Sequence, residues 1–178
     1  MVLIYHFEQS NQHCGDGVTI LSDYQVKLDE AYQGEFYGLA MYSLIAEGRQ
    51  AQDEREKWLL LTQLEEVTRQ VLEPVLRRHG MTTEAKPESL RAGELDAENY
   101  VNLPWSELMQ RFYDELDADI VEYSALLEMA PSEDHDAIRF LVDHEIVAKA
   151  FCEGELFGNR EHSVEPVRAL IEQSRIQV

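Results

Sequence analysis

The stretch WLLLTQLEEVTRQVLEPV, residues 58–75, decides the fold class. Its apolar residues recur in steps of three and four, which places them on one face of an α-helix. Glu65 is the only charged residue within that apolar stripe. A carboxylate on a buried helix face costs free energy unless it is paired, protonated or bound to a cation. The stretch therefore predicts a helix that carries an acidic group into the protein interior.

The same arrangement recurs elsewhere in the chain. Glu145 is the lone charge of an apolar stripe near the C-terminal end, and Glu35 occupies a similar stripe near the N-terminal end. Glu35 and Glu65 are thirty residues apart. Glu115 and Glu145 have the same separation, and this second pair follows the first at an offset of eighty. The repetition predicts two similar helical hairpins with carboxylates between their helices.

Glu115 differs from the other three glutamates in its surroundings. Glu115 and Glu122 share one stripe of the predicted third helix, but a neighbouring stripe of that helix is fully apolar. The apolar stripe makes the better core face. An alternative is therefore that both glutamates flank the core instead of entering it.

Turn and cap residues divide the chain into an irregular leader (1–21), a helical bundle (22–158) and a C-terminal helix and tail (159–178). Ser22 is a suitable N-cap for the first helix. Pro74 predicts a kink in the second helix, or an end to its regular part near Glu73. Residues 80–104 lack a sustained apolar period and predict a long crossover, and the only strand candidates are the first few residues and 18–21. The predicted helices span about 23–49, 54–79, 105–130, 133–157 and 164–174.

Charge and composition exclude several classes of partner. The 178 residues include 15 Lys and Arg against 35 Asp and Glu, a net charge of -20, which repels nucleic acid phosphates and anionic membranes. No apolar run approaches the roughly 20 residues of a membrane span, and the N-terminus does not read as a signal peptide. The two cysteines show no metal-type spacing. We expect a cytoplasmic protein in which Cys152 is a small core residue, and the broad apolar helix faces are compatible with a homodimer.

The two hairpins, the crossover and the glutamate spacing resemble the ferritin-like superfamily, in the broad sense that includes rubrerythrin-type bundles. The resemblance covers roughly residues 22–158 and implies a four-helix bundle that can house two metal ions, usually iron. Glu35 and Glu115 would match the single glutamates of the family's first and third helices. Glu65 and Glu145 would match the glutamates of its two Glu-x-x-His motifs.

The chain departs from that family at both histidines. Thr68 and Ala148 stand where the motifs should end in His. Loss of both imidazoles leaves an oxygen-only site, which suits a hard divalent cation better than a redox iron pair. His144 is a further candidate ligand. It points about 100° away from Glu145 around an ideal helix, so it would serve only if the register or the helix geometry shifted.

Three functions remain open from the sequence. The first is a ferritin-like protein with a degenerate carboxylate site for iron or another divalent cation, without classical di-iron redox turnover. The second is a non-haem di-iron or di-manganese oxidoreductase with unusual ligands. The third is a helical binding or interaction module, which would be favoured if residues 80–104 formed a lid over a pocket or if the apolar stripes packed against a partner chain. Without a metal, the glutamates would form a polar core satisfied by protonation or by neighbours such as Tyr37, Tyr42 or Arg69.

Overall fold

The computed structural model describes residues 21–176. Across this range the protein is all-α, with six helices and without a β-strand, so the predicted all-α class is confirmed. The predicted leader and the strand candidates lie outside the described residues, apart from Leu21, which is not in a strand. The helices are α1 (Asp23–Gly48), α2 (Gln52–Arg78), α3 (Pro87–Tyr100), α4 (Trp105–Met129), α5 (His135–Phe157) and α6 (Glu165–Ile176).

Local sequence signals account for the start of α1 and the end of α5. Ser22 caps α1: its Oγ accepts the Gln25 N–H at 3.3 Å, and the Gln25 Oε1 accepts the Ser22 N–H at 2.9 Å. This reciprocal pair satisfies two donors that the first helical turn leaves free. At the other end of the chain, α5 stops where Gly158 takes a φ of 98°, a left-handed conformation that glycine adopts without steric cost.

The alternative that the regular part of the second helix ends near Glu73 is wrong, because α2 continues through Pro74 to Arg78. Proline removes the amide hydrogen that would bond the carbonyl four residues earlier, at Gln70. Pro74 and Gln70 are both exposed. Water can therefore solvate the freed carbonyl, which lowers the cost of the missing bond.

The crossover is not an irregular connection, since α3 occupies its centre and packs against α1. Gly93 allows a close approach of the two helices: a Cβ at this position would lie 3.1 Å from the Ala40 Cβ and closer still to the Tyr37 carbonyl oxygen. Arg49 fixes the end of α3, with its guanidinium donating to the Leu103 oxygen at 2.8 Å and to the Tyr100 oxygen at 3.3 Å. Because it contains α3, the crossover forms a third layer that packs against α1.

The four long helices form two hairpins. Short connections join α1 to α2 and α4 to α5, and each hairpin is packed along its length. The hairpins meet mainly through α2 and α5, with a smaller contact between α1 and α4, while α6 covers α5 and α2. Buried Cys152 on α5 confirms its predicted place in the core.

A layer of polar side chains divides the interior into two apolar clusters. We call Glu35, Glu65, Thr68, His144 and Glu145 the polar layer; all five are buried. Along α1, α2 and α5, residues of one apolar cluster lie on one side of the polar layer, and residues of the other cluster lie on the opposite side. These flanking residues are Tyr32 and Met41 on α1, Leu64 and Leu72 on α2, and Leu141 and Ala148 on α5.

Candidate metal centre in the polar layer

Glu35 enters the polar layer from α1 and is the least satisfied of its members. It is 2% exposed, and its Oε2 makes no hydrogen bond with any described residue. That oxygen lies 3.6 Å from Nδ1 of His144, beyond hydrogen-bonding distance. Buried carboxylate oxygens normally have a donor, so this one marks an incomplete site.

Glu65 reaches the same point from α2 because α1 carries a glycine opposite it. A Cβ on Gly38 would lie 2.9 Å from Oε1 of Glu65 and closer still to Cδ and Oε2. Ordinary contacts of a Cβ begin at 3.4 Å. The missing side chain at position 38 therefore provides the space that the Glu65 carboxylate occupies.

His144 enters from α5 and lies between the two carboxylates. Its Nε2 is 3.3 Å from Oε1 of Glu65, and its Nδ1 is 2.9 Å from Oγ1 of Thr68. Potential ligand atoms of Glu35, Glu65 and His144 all lie within 4.8 Å of one another. Among the residues with described side chains, these three form the only such group of metal-capable side chains.

The geometry corrects the expectation that His144 could contribute only after a register shift. Helix α5 packs against α2 on one side and α4 on the other. His144 faces Glu65 and Thr68 of α2. Glu145 interacts with the charges of Asp119 on α4 and of Glu65 on α2. Two neighbours that are 100° apart are therefore both buried, because both sides of the helix are covered.

Glu145 and three tyrosines complete the wall of a small cavity at the layer. The cavity has a volume of about 10 Å3, the room that one water molecule needs. Glu145 is 7% exposed, and it is not part of the three-residue group. The residues that line the cavity are Gly34, Glu35, Tyr37, Gly38, Tyr42, Glu65, Tyr123 and Glu145.

The electrostatics of the layer favour retained protons. Burial raises the pKa of Glu35 well above its usual range, and the charges of Glu65 and Glu145 raise it further. Burial likewise raises the pKa of Glu145, to about 7, although His144 opposes the shift. For His144, burial alone would lower the pKa, but the negative charges of Glu65 and Glu145 outweigh that effect and the pKa is raised. At neutral pH, protons retained on these side chains reduce the net negative charge of the layer, as a bound cation would.

The remaining predicted ligands lie apart from the three-residue group. Glu115 on α4 is half-buried, and burial raises its pKa. Glu122 is also half-buried and forms an ion pair with Lys27 at 3.6 Å. Both half-buried positions agree with the alternative that these glutamates flank the core, although the Glu115 Oε2 is itself buried without a hydrogen-bond partner among the described residues.

Two of the neighbours suggested as hydrogen-bond partners for the glutamates have other roles, whereas the third, Tyr42, lines the cavity beside them. Tyr37 donates to Asp96 at 2.7 Å, and Arg69 pairs with Glu66 at 2.8 Å. Thr68 contacts the imidazole instead of a carboxylate. A metal-free polar core would rely on protonation at Glu35, whose pKa is raised by burial, or on a donor such as Tyr42 in the same cavity.

Histidine 144 changes the chemistry expected from the sequence. Thr68 and Ala148 stand at the two missing histidine positions, but the set is not oxygen-only, because His144 supplies an imidazole nitrogen to the same point. Two carboxylates and one imidazole are typical ligands of divalent transition metals. The signal in the sequence is that His144 has apolar residues one helical turn away in both directions, Phe140 and Ala148.

Comparison with protein-family models, with curated proteins and with solved structures found no match to this chain. The polar layer is therefore interpreted from its own residues. Its defining features are three buried carboxyl groups, one buried imidazole and one carboxylate oxygen that has no donor within residues 21–176.

Proposed function

We propose that this protein is a ferritin-like bundle that binds one divalent transition-metal ion through Glu35, Glu65 and His144. Two helical hairpins joined by a long crossover support the bundle assignment, with α3 as an addition within the crossover. The set of ligands supports one ion in place of the family's two. Glu145 lines the cavity beside Glu35 and Glu65 but is not one of the three proposed ligands.

The observation that carries the proposal is the buried Oε2 of Glu35. An oxygen without a donor loses its hydration on folding and regains nothing. A cation between Glu35, Glu65 and His144 would remove that deficit. The glycine at position 38 supports the same conclusion, since it allows two carboxylates to approach each other, which is unfavourable without a proton or a cation between them.

The donor set indicates the class of ion. Carboxylates alone would suit Mg2+ or Ca2+, but an imidazole nitrogen favours Mn2+, Fe2+, Co2+ or Zn2+. Three protein ligands leave open positions, where a bound ion would supply Lewis acidity towards water or a small ligand. The chain's own contribution is to hold the three ligands from three different helices and to exclude bulk water from them.

Metal titration tests the proposal. Protein purified without chelator and then stripped is titrated with Co2+ and Zn2+ by calorimetry, and the Co2+ absorption spectrum reports the ligand geometry. We expect one ion per chain. Glu35→Gln and Glu65→Gln keep the side-chain size but remove a ligand charge, so each should weaken binding at least about tenfold.

Glu66→Gln is the matched control, because Glu66 is next to Glu65 in the chain but pairs with Arg69 at the surface. It should bind metal as the unmodified protein does. Two stoichiometric irons per chain would overturn the single-ion proposal in favour of a di-metal oxidoreductase. Equal binding by Glu35→Gln, Glu66→Gln and the unmodified protein would show that any bound ion lies elsewhere.

A further inference from the structure

Thr68 makes two contacts that no ligand role explains. Its Oγ1 lies 3.0 Å from the carbonyl oxygen of Leu64, one turn earlier on α2, and 2.9 Å from Nδ1 of His144. Thr68 is fully buried, and so is its hydroxyl between these two partners. The sequence pattern assigned this position to a missing histidine, yet the side chain touches the imidazole that comes from α5.

A hydroxyl carries a single hydrogen, so its two contacts cannot both be donated. The Leu64 carbonyl can only accept, and therefore the 3.0 Å contact uses the Thr68 hydrogen. The lone pairs of Oγ1 then face Nδ1 at 2.9 Å. An acceptor at this distance favours a proton on Nδ1 over a lone pair.

The other ring nitrogen faces the metal-capable carboxylate. Nε2 lies 3.3 Å from Oε1 of Glu65. With the proton held on Nδ1, the lone pair of a neutral imidazole belongs to Nε2. Metal-bound histidines commonly donate their second N–H to a fixed acceptor, which sets both tautomer and ring orientation.

We propose that Thr68 is a positioning residue of the metal centre: its hydroxyl, oriented by the Leu64 carbonyl, holds the His144 proton on Nδ1 and leaves Nε2 as the ligand atom. This inference rests on the proposed metal function and identifies Nε2 of His144 as the atom that would bind the ion. Two hydrogen bonds stay the same when a metal replaces a proton on Nε2: the one from Nδ1–H to the Thr68 hydroxyl and the one from that hydroxyl to the Leu64 carbonyl. Metal binding then requires no rearrangement of the ring.

The first test uses the metal-free protein. Long-range proton–nitrogen NMR of histidine-labelled protein distinguishes protonated from unprotonated ring nitrogens, and a His144→Gln sample assigns the signals. In alkaline buffer, where the ring is neutral, we expect the proton on Nδ1. Thr68→Val keeps the side-chain shape but removes the acceptor, so the proton should move to Nε2, towards Glu65. Thr68→Ser retains the hydroxyl and should restore the original tautomer.

The second test uses Zn2+ as the probe. The nitrogen shifts of the zinc-loaded protein should identify Nε2 as the bound atom. Thr68→Val should weaken Zn2+ binding about 10- to 100-fold, as is typical when the partner of a metal-bound histidine is removed, and Thr68→Ser should recover it. Circular dichroism of each variant confirms that the helices are intact.

The outcomes separate this inference from the metal function itself. Zinc bound at Nδ1, or an Nδ1 proton that persists in Thr68→Val, would overturn the role of Thr68 while the metal site stands. Equal zinc affinity of Thr68→Val and Thr68→Ser would do the same. Failure of the unmodified protein to bind any divalent ion would overturn the metal function, whichever tautomer the metal-free NMR reports.

Discussion

Gly38→Ala tests whether the space beside α1 exists for the Glu65 carboxylate. The new methyl carbon would stand 2.9 Å from Oε1 of Glu65 and closer to Oε2, where ordinary contact begins at 3.4 Å. The carboxylate would have to withdraw by about 1 Å to regain normal van der Waals separation. Metal–ligand distances tolerate only about 0.2 Å. We therefore expect Glu65 to be lost as a ligand, with metal affinity reduced about 10- to 100-fold, or about 1.4 to 2.8 kcal/mol.

Calorimetric titration with Zn2+ measures the change, and urea unfolding of the metal-free variant measures stability. Alanine is a better helix former than glycine by about 1 kcal/mol, and the flexible carboxylate can move, so the metal-free fold should remain. Gly38→Ala combined with Glu65→Asp offers a rescue, because the shorter side chain makes room for the methyl group. The double variant should bind Zn2+ more tightly than Gly38→Ala alone.

Gly154→Ala is the matched control. Gly154 also lies on a long helix with a close neighbour, since a Cβ at this position would stand 3.0 Å from the Ser163 Cβ. It is ten residues from His144, or about 15 Å along α5. Its substitution should alter stability without altering zinc affinity. Unchanged zinc affinity in Gly38→Ala would refute the argument that this glycine makes room for a ligand.

Three further predictions concern charge and stability. Because the pKa of Glu145 is raised to about 7 in the fold, the folded state holds more protons than the unfolded one between about pH 5 and 7. The free energy of unfolding of metal-free protein should therefore fall as pH rises through this range, and Glu145→Gln should be more stable at pH 8 by about 3 kcal/mol in urea titrations. The side chain of Asp134 is fully buried and accepts hydrogen bonds from Tyr24 at 2.9 Å and from Arg78. Asp134→Asn should therefore lower the free energy of unfolding, measured by thermal denaturation, by about 2 kcal/mol. Glu155 is equally buried and binds Lys57 at 2.6 Å and the Trp105 indole at 2.8 Å, and Glu155→Gln should cost about 2 kcal/mol in the same assay without affecting Zn2+ binding.

The long helices were predictable because each carries its own evidence. Ser22 marks the start of α1 and Gly158 the end of α5, and the apolar stripes between such signals show the helical period directly. By contrast, α3 buries little more than Gly93, Ala97 and Tyr100. Such a helix depends on tertiary packing against α1, which no local pattern reports.

The candidate site was predictable only in part. Glu35, Glu65 and Glu145 stand out because each is a single charge in an apolar stripe, and all three are buried around the same cavity. His144 was undervalued because the stripe argument assigns one buried face to each helix. Helix α5 has two covered sides, and that property depends on neighbours that are distant in the sequence.

The division of the three candidate ligands between the hairpins has a consequence for the order of folding. Glu35 and Glu65 belong to the hairpin of α1 and α2, whereas His144 belongs to that of α4 and α5. Each hairpin has local contacts and can form early, but the complete set of ligands exists only after the hairpins dock. A bound ion would hold the two docked hairpins together, because its ligands come from both. Native-state hydrogen exchange should then show metal slowing the joint opening of α2 and α5, while fraying at the helix ends stays as it was.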